Sequence, residues 1–304
     1  MTATQKLVAP FPYFGGKRRV AAEVWARFGN VRSYVEPFFG SGAVLLGRPR
    51  PFDGVETVND KDGLLCNFWR ATQANPAAVA RYADWPVSEC DLHARHLWLV
   101  ERREDITGRL MSDPDWFDAK AAGWWAWASS AMAIERGRFT SDGSPGVAHV
   151  GPPRGVIALR RDGIGPTMAA LAERLRHVRI RCGDWERMVQ SDSALHTHWG
   201  IAAVFLDPPY AASTGRDMGC YAVDSGSVAA DVTAWALTAG QRADLRIAVC
   251  GYDEHDALAD AGWTAYRWST GDHAAKGGAS AGNGDREVVW FSPHCLGARQ
   301  MNLL

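Results

Sequence analysis

The chain contains no uninterrupted apolar run near the roughly 18 residues a bilayer-spanning helix requires. Its opening, MTATQKLVAPFPYF, lacks the apolar stretch of a secretory signal. Neither a membrane span nor a signal peptide is expected, and the expected location is cytoplasmic. Paired cysteine spacing is missing too. Cys66, Cys90, Cys182, Cys220, Cys250 and Cys295 are scattered, which reads as reduced core thiols rather than a disulfide framework. Nor is there an excess of one charge: 33 basic residues face 34 acidic ones, for a net charge of -1. A nucleic-acid surface must therefore come from local clustering, which a neutral total permits. Internal repeats are absent, and one low-complexity segment, GDHAAKGGASAGNGD at 271–285, reads as a loop that suits a lid or a DNA-contacting flap as well as plain disorder.

What is present is a set of short apolar segments. SYVEPF (33–38), GVETVND (54–60), HVRIRCGD (177–184), IAAVFLD (201–207), LRIAVCG (245–251) and EVVWFS (287–292) read as strands, several apolar enough to be covered on both faces. Helical patterns at 168–176, 227–237 and 254–261 alternate with the later strands, which predicts an α/β, doubly wound, largely parallel sheet. The alternation fails between about 63 and 165, where helices and then a Gly- and Pro-rich stretch take over. The expected organisation is a sheet domain of 1–65 and 166–304 with a mainly helical insertion at 66–165.

Four strand ends carry acids. In VEPFFGSGAV (35–44) a strand closes on Glu36, and Gly40-Ser41-Gly42 leads into a helix, a turn that lets a ligand approach backbone at the carboxyl edge of the sheet. The turn lacks both the third glycine of a dinucleotide fingerprint and the lysine of a phosphate loop, so a nucleoside with a positive or zwitterionic group fits better. Asp60, 20 residues beyond Gly40, is placed to accept ribose hydroxyls. Asp62 and Asp184 read either as helix caps or, for Asp184, as an acceptor for an adenine amine. In FLDPPY (205–210), Pro208 and Pro209 remove two backbone donors, leaving the Asp207 carboxylate and Pro208 carbonyl as a pair of acceptors. Such a pair suits an exocyclic amine, and Tyr210 supplies a face for a planar base.

PFPYFGGK (10–17), VEPFFGSGAV (35–44), VND (58–60), CGD (182–184) and FLDPPY (205–210), in this order, resemble the Dam-type DNA adenine-N6 methyltransferases, including their phage-encoded members. The resemblance covers about 10–70 and 178–292. It implies a Rossmann-like methyltransferase sheet, S-adenosylmethionine as cofactor, double-stranded DNA as partner, and 66–165 as target-recognition segment. Tyr13, Gly15, Gly16 and Lys17 match the element closing over the methionine end of the donor. Glu36, Phe38, Gly40 and Gly42 match the donor turn, Asp60 the ribose acid and Asp184 the acid beside the donor adenine. Asp207, Pro208, Pro209 and Tyr210 match the catalytic motif, although Cys182-Gly183 before Asp184 is a looser fit. A bacterial or phage-infected host cell and a monomer or weak dimer are expected. A cognate restriction enzyme, a cytosine-N4 or RNA substrate, and a non-catalytic DNA-binding relative stay open.

For DNA, nine arginines stand against four acids from Ile134 to Cys182. Arg136, Arg138, Arg154, Arg160 and Arg161 are the candidates for phosphate contacts. Cys90, His93 and His96 at i, i+3 and i+6 drift off a shared helical face, so no metal site is expected. Trp124, Trp125 and Trp127 read as core rather than as a base-stacking box.

Overall fold

The computed structural model describes residues 7–13, 16–132, 139, 145–146, 148, 151–160, 163–209, 228–251, 255–268 and 287–297. Its strands are β1 (Ser33–Glu36), β2 (Val55–Asp60), β3 (Arg179–Cys182), β4 (Ala202–Leu206), β5 (Leu245–Gly251), β6 (Thr264–Arg267) and β7 (Val288–Phe291). The helices before β3 are α1 (Ala21–Phe28), α2 (Ala43–Leu46), α3 (Gly63–Ala74), α4 (Pro76–Ala83), α5 (Glu89–Ser112), α6 (Ala119–Ala131), α7 (Gly155–Leu159) and α8 (Ile164–Leu175). Beyond β3 lie α9 (Asp192–Leu195), α10 (Val228–Ala239) and α11 (Ala257–Asp260).

The strands form one seven-stranded sheet in the order β3-β2-β1-β4-β5-β7-β6. Pairing is parallel from β3 through β5, and β7 runs antiparallel to both β5 and β6. This is a doubly wound, Rossmann-like sheet. Successive connections run outward from β1 to β2 and β3, then return so that β4 lies on the other side of β1. The crevice at the carboxyl ends of β1 and β4 is therefore the topological switch point, where such sheets bind ligands.

Strand alternation divides the core between the two faces. Tyr34, Val58, Ala203, Phe205 and Ala248 join the helices α1, α3–α6 and α8 in one apolar cluster. Val35, Ala202, Val204, Leu206, Ile247 and Val249 pack on the other face against α10, Trp185 and Trp263. All six expected strands are present. β4 and β5 are buried almost throughout, as strands covered on both faces must be. The sequence reading missed β6. It is an exposed edge strand, TAYR, with no apolar run to announce it. It also missed α1, whose Ala21, Val24, Trp25 and Phe28 form one buried stripe.

The helical stretch between about 63 and 160 carries α3 to α7. Asp62 caps α3 by accepting the Leu64 amide, Asn75 caps α4, Ser88 caps α5 and Asp118 caps α6. Trp125 and Trp127 are buried within this layer, and Trp124 is half-buried against it. His96 is buried and stacks on Phe139 at 5.5 Å, whereas Cys90 is exposed.

Candidate active site

The turn after β1 is shaped by two glycines in left-handed backbone, Gly40 at φ 48° and Gly42 at φ 62°. A side chain would cost strain at either position. At Gly40 a Cβ would also stand 2.6 Å from the Tyr13 ring, so the missing side chain seats Tyr13 on the turn. The N-terminal segment is held there from below: Phe11 packs edge-on against Phe68, Trp69 and Trp125. Trp69 Nε1 donates to the Gly40 carbonyl at 3.0 Å, tying the turn to α3. The sequence motifs 10–17 and 35–44 thus meet in space.

Asp60, at the end of β2, accepts the Gly40 amide through Oδ2 at 2.9 Å and the Asp62 amide through Oδ1 at 3.0 Å. Burial pushes its carboxyl up to about 6, against the lowering effect of those amides. Beside it, Asn59 is buried and donates to the carbonyls of Pro37 at 3.0 Å and Gly183 at 2.9 Å. One side-chain amide therefore fastens the ends of β1 and β3 to β2. The sequence reading passed over Asn59, although a polar residue inside VETVND was a visible departure from an apolar strand.

Asp184 is exposed and caps the 3₁₀ turn Trp185–Met188 by accepting the Glu186 amide at 3.2 Å, with Lys61 Nζ 3.6 Å away. Phe38 stacks on Trp185 with centroids 5.9 Å apart, forming an aromatic wall between the ends of β1 and β3.

Glu36 is buried at the end of β1 and accepts the Tyr34 hydroxyl at 2.8 Å. Burial holds its carboxyl well above the ordinary range, opposed by the Tyr34 hydrogen bond and reinforced by the Asp207 charge. Asp207 follows β4 directly. Its Oδ1 lies 3.0 Å from Lys17 Nζ, and the same ammonium is 4.0 Å from Glu287 Oε2. Lys17 is only 3% exposed, so this is a desolvated ion pair rather than a surface one. Pro208 is buried and Pro209 half-buried. Gly15 and Tyr210 lie outside the described residues.

Of the DNA candidates, Arg136, Arg138 and Arg161 also lie outside them. Arg154 is half-buried and donates to the Met132 carbonyl, and burial lowers its pKa. Arg160 pairs with Asp84 at 3.5 Å. Arg174, from the same arginine-rich stretch, does not face solvent. It is 4% exposed and grips Glu56 at 2.6 and 2.8 Å, with Arg48 at 3.0 Å on the same carboxylate.

The strand-end acids Asp184, Asp60 and Glu36 thus stand along the carboxyl edge of the sheet on one side of the switch point, and Asp207 stands on the other. A matching family model covers residues 13–90, that of the D12 class N6 adenine-specific DNA methyltransferases. The match takes in Tyr13, Gly16, Lys17, the glycine turn and Asp60, and ends before Asp184 and Asp207. No curated protein matches the chain.

Proposed function

We propose that this chain, an adenine-specific DNA methyltransferase of the D12 class, takes its methyl group from S-adenosylmethionine and acts on an adenine turned out of the duplex. The fit to that donor rests on the chemistry of the crevice. Asp60, Asp184 and Asp207 face Lys17 and Lys61 there, while burial favours the neutral form of Glu36, a balance that disfavours phosphate and suits a sulfonium nucleoside. Asp60 keeps acceptor capacity beyond its two amide bonds and takes the ribose hydroxyls. Asp184, the Phe38–Trp185 wall and Tyr13 over Gly40 bound the remainder of the site. When bound, the donor supplies an electrophilic methyl group.

The chain's own residues then hold the amine. Turning a base out of the stack costs a few kcal/mol, which stacking on Tyr210 offsets. The adenine nitrogen is a weak nucleophile because its lone pair is delocalised into the ring. Its two hydrogens donate to the Asp207 carboxylate and the Pro208 carbonyl, which favours a pyramidal nitrogen and stabilises the positive charge that develops there. Transfer is direct and in line, and positioning supplies much of the rate. Proton loss follows through Asp207 to water.

Target recognition falls to the helical segment 66–165. A cleft of about 520 Å³ between α4, α5 and α6, lined by Arg81, Arg102, Arg109 and Lys120 together with Asp105 and Asp118, offers cations for phosphate contacts there. The observation that carries the reading is the placement of Asp207 at the switch point, one strand from the turn that Asp60 holds. Methylation-sensitive sequencing of DNA from cells expressing the protein tests it. N6-methyladenine in a fixed context is expected, and none from Asp207→Ala, which still binds the donor. Absence of the mark with wild-type protein, or an unchanged mark with Asp207→Ala, overturns the assignment.

A further inference from the structure

Glu287 is a buried carboxylate that no sequence motif singled out. It stands immediately before β7, the antiparallel strand whose first residue pairs with Gly251 at the end of β5. That register carries it to the crevice, where its Oε2 lies 4.0 Å from the Lys17 ammonium, the group that also stands 3.0 Å from Asp207. Glu36 and Cys250 are close enough for the Asp207 charge to act on both.

Charge arithmetic separates two states of this cluster. Burial favours the neutral forms of Glu36 and Cys250. Lys17 against Asp207 alone would leave the catalytic carboxylate neutralised at the moment the adenine amine becomes cationic. With Glu287 sharing the ammonium, Lys17 divides its attraction between two carboxylates, and Asp207 keeps more of its own negative charge for that amine. A buried ammonium is also costly to hold with a single partner, so the second carboxylate fixes where Lys17 sits.

We propose that Glu287 is a positioning residue for methyl transfer: by sharing Lys17 it keeps that charge from neutralising Asp207 alone and leaves Asp207 able to accept the adenine amine. The proposal rests on the methyltransferase reading of the same site. It concerns a residue outside the motifs that support that reading and outside the matched segment 13–90.

Single-turnover methylation of duplex DNA with the full chain tests it. Glu287→Gln keeps the shape and removes the charge. It is expected to lower the transfer rate roughly ten- to a hundredfold, less than the roughly hundred- to thousandfold cost of a direct transition-state contact, because Glu287 acts through Lys17. KM for donor and for DNA should stay within about threefold, a split that general loosening would not produce. Glu287→Asp, which restores the charge, should recover most of the rate. In a Lys17→Met background the Glu287→Gln cost should vanish, because the shared ammonium is gone. A wild-type rate in Glu287→Gln, a failure of Glu287→Asp to recover more rate than Glu287→Gln, or a full additive cost in the Lys17→Met background overturns the proposal. If Lys17→Met does not fold by thermal melting, the comparison of Gln with Asp at 287 decides. Wild-type protein that transfers no methyl group sinks the functional reading as well, whereas an active wild type with an equally active Glu287→Gln sinks this inference alone.

Discussion

The carboxylate of Asp60 accepts the backbone amide of Gly40 at 2.9 Å, so one side chain braces the glycine turn after β1 from the end of β2. Its pKa is raised from 3.8 to about 6. A raised carboxyl binds its proton more tightly in the folded chain. Its contribution to stability is therefore fullest below about pH 4 and is lost as pH rises toward about 6. Ligand binding has the opposite sign, because only the ionised form offers all its lone pairs to ribose hydroxyls. Calorimetric titration with the donor should show affinity falling about tenfold between about pH 8 and about pH 5. Asp60→Asn should bind weakly across that range, and a pH-independent wild-type affinity would remove Asp60 from the donor site.

Gly40→Ala should unseat Tyr13. The added methyl group meets the Tyr13 ring at 2.6 Å, and the left-handed backbone itself costs about 1–2 kcal/mol for a non-glycine residue. Expected is a tenfold or greater loss of donor affinity with a modest drop in melting temperature. Unaltered affinity would show that Tyr13 does not close the donor site.

Asn59→Asp replaces an amide that donates to two carbonyls with a carboxylate that must face both. Burying that charge against two acceptors should cost on the order of 3 kcal/mol or more, read from urea denaturation at neutral pH. Donor affinity should fall with it, because the ends of β1, β2 and β3 separate. Acidification should return part of the stability, as the new carboxyl takes up a proton.

Glu56→Ala should destabilise the fold while sparing the chemistry. It strips the shared partner from Arg48 and Arg174, both buried, and an uncompensated buried charge costs about 3–5 kcal/mol. Urea denaturation gives the stability loss. The methylation rate per folded molecule should remain near wild type, since Glu56 lies mid-strand rather than at the carboxyl edge.

The strands were readable where burial on both sheet faces left nearly continuous apolar runs, as in IAAVFLD and LRIAVCG. They were not readable where a strand is a solvent-exposed edge. β6 carries TAYR, and its strand identity comes from pairing with β7. Helix α1 escaped notice for a related reason. It is short, and its apolar stripe acquires meaning only from the sheet face it covers.

At the site, the acids that end strands announced themselves through position: Glu36, Asp60 and Asp207 each close a strand segment, where an unpaired carboxylate is unusual in a core. Local chemistry thereby determined the glycine turn, the proline-stiffened loop and the alternation that makes the sheet. Which of these groups meet was decided only by strand order. Lys17, Asp207 and Glu287 are far apart along the chain. They converge because β4 returns beside β1 and because β7, inserted antiparallel, brings its first residues to the same edge. Likewise, the local excess of arginines read as a phosphate-facing surface, but packing turned Arg174 inward to Glu56, because a buried carboxylate on β2 requires a cation from whatever element covers it.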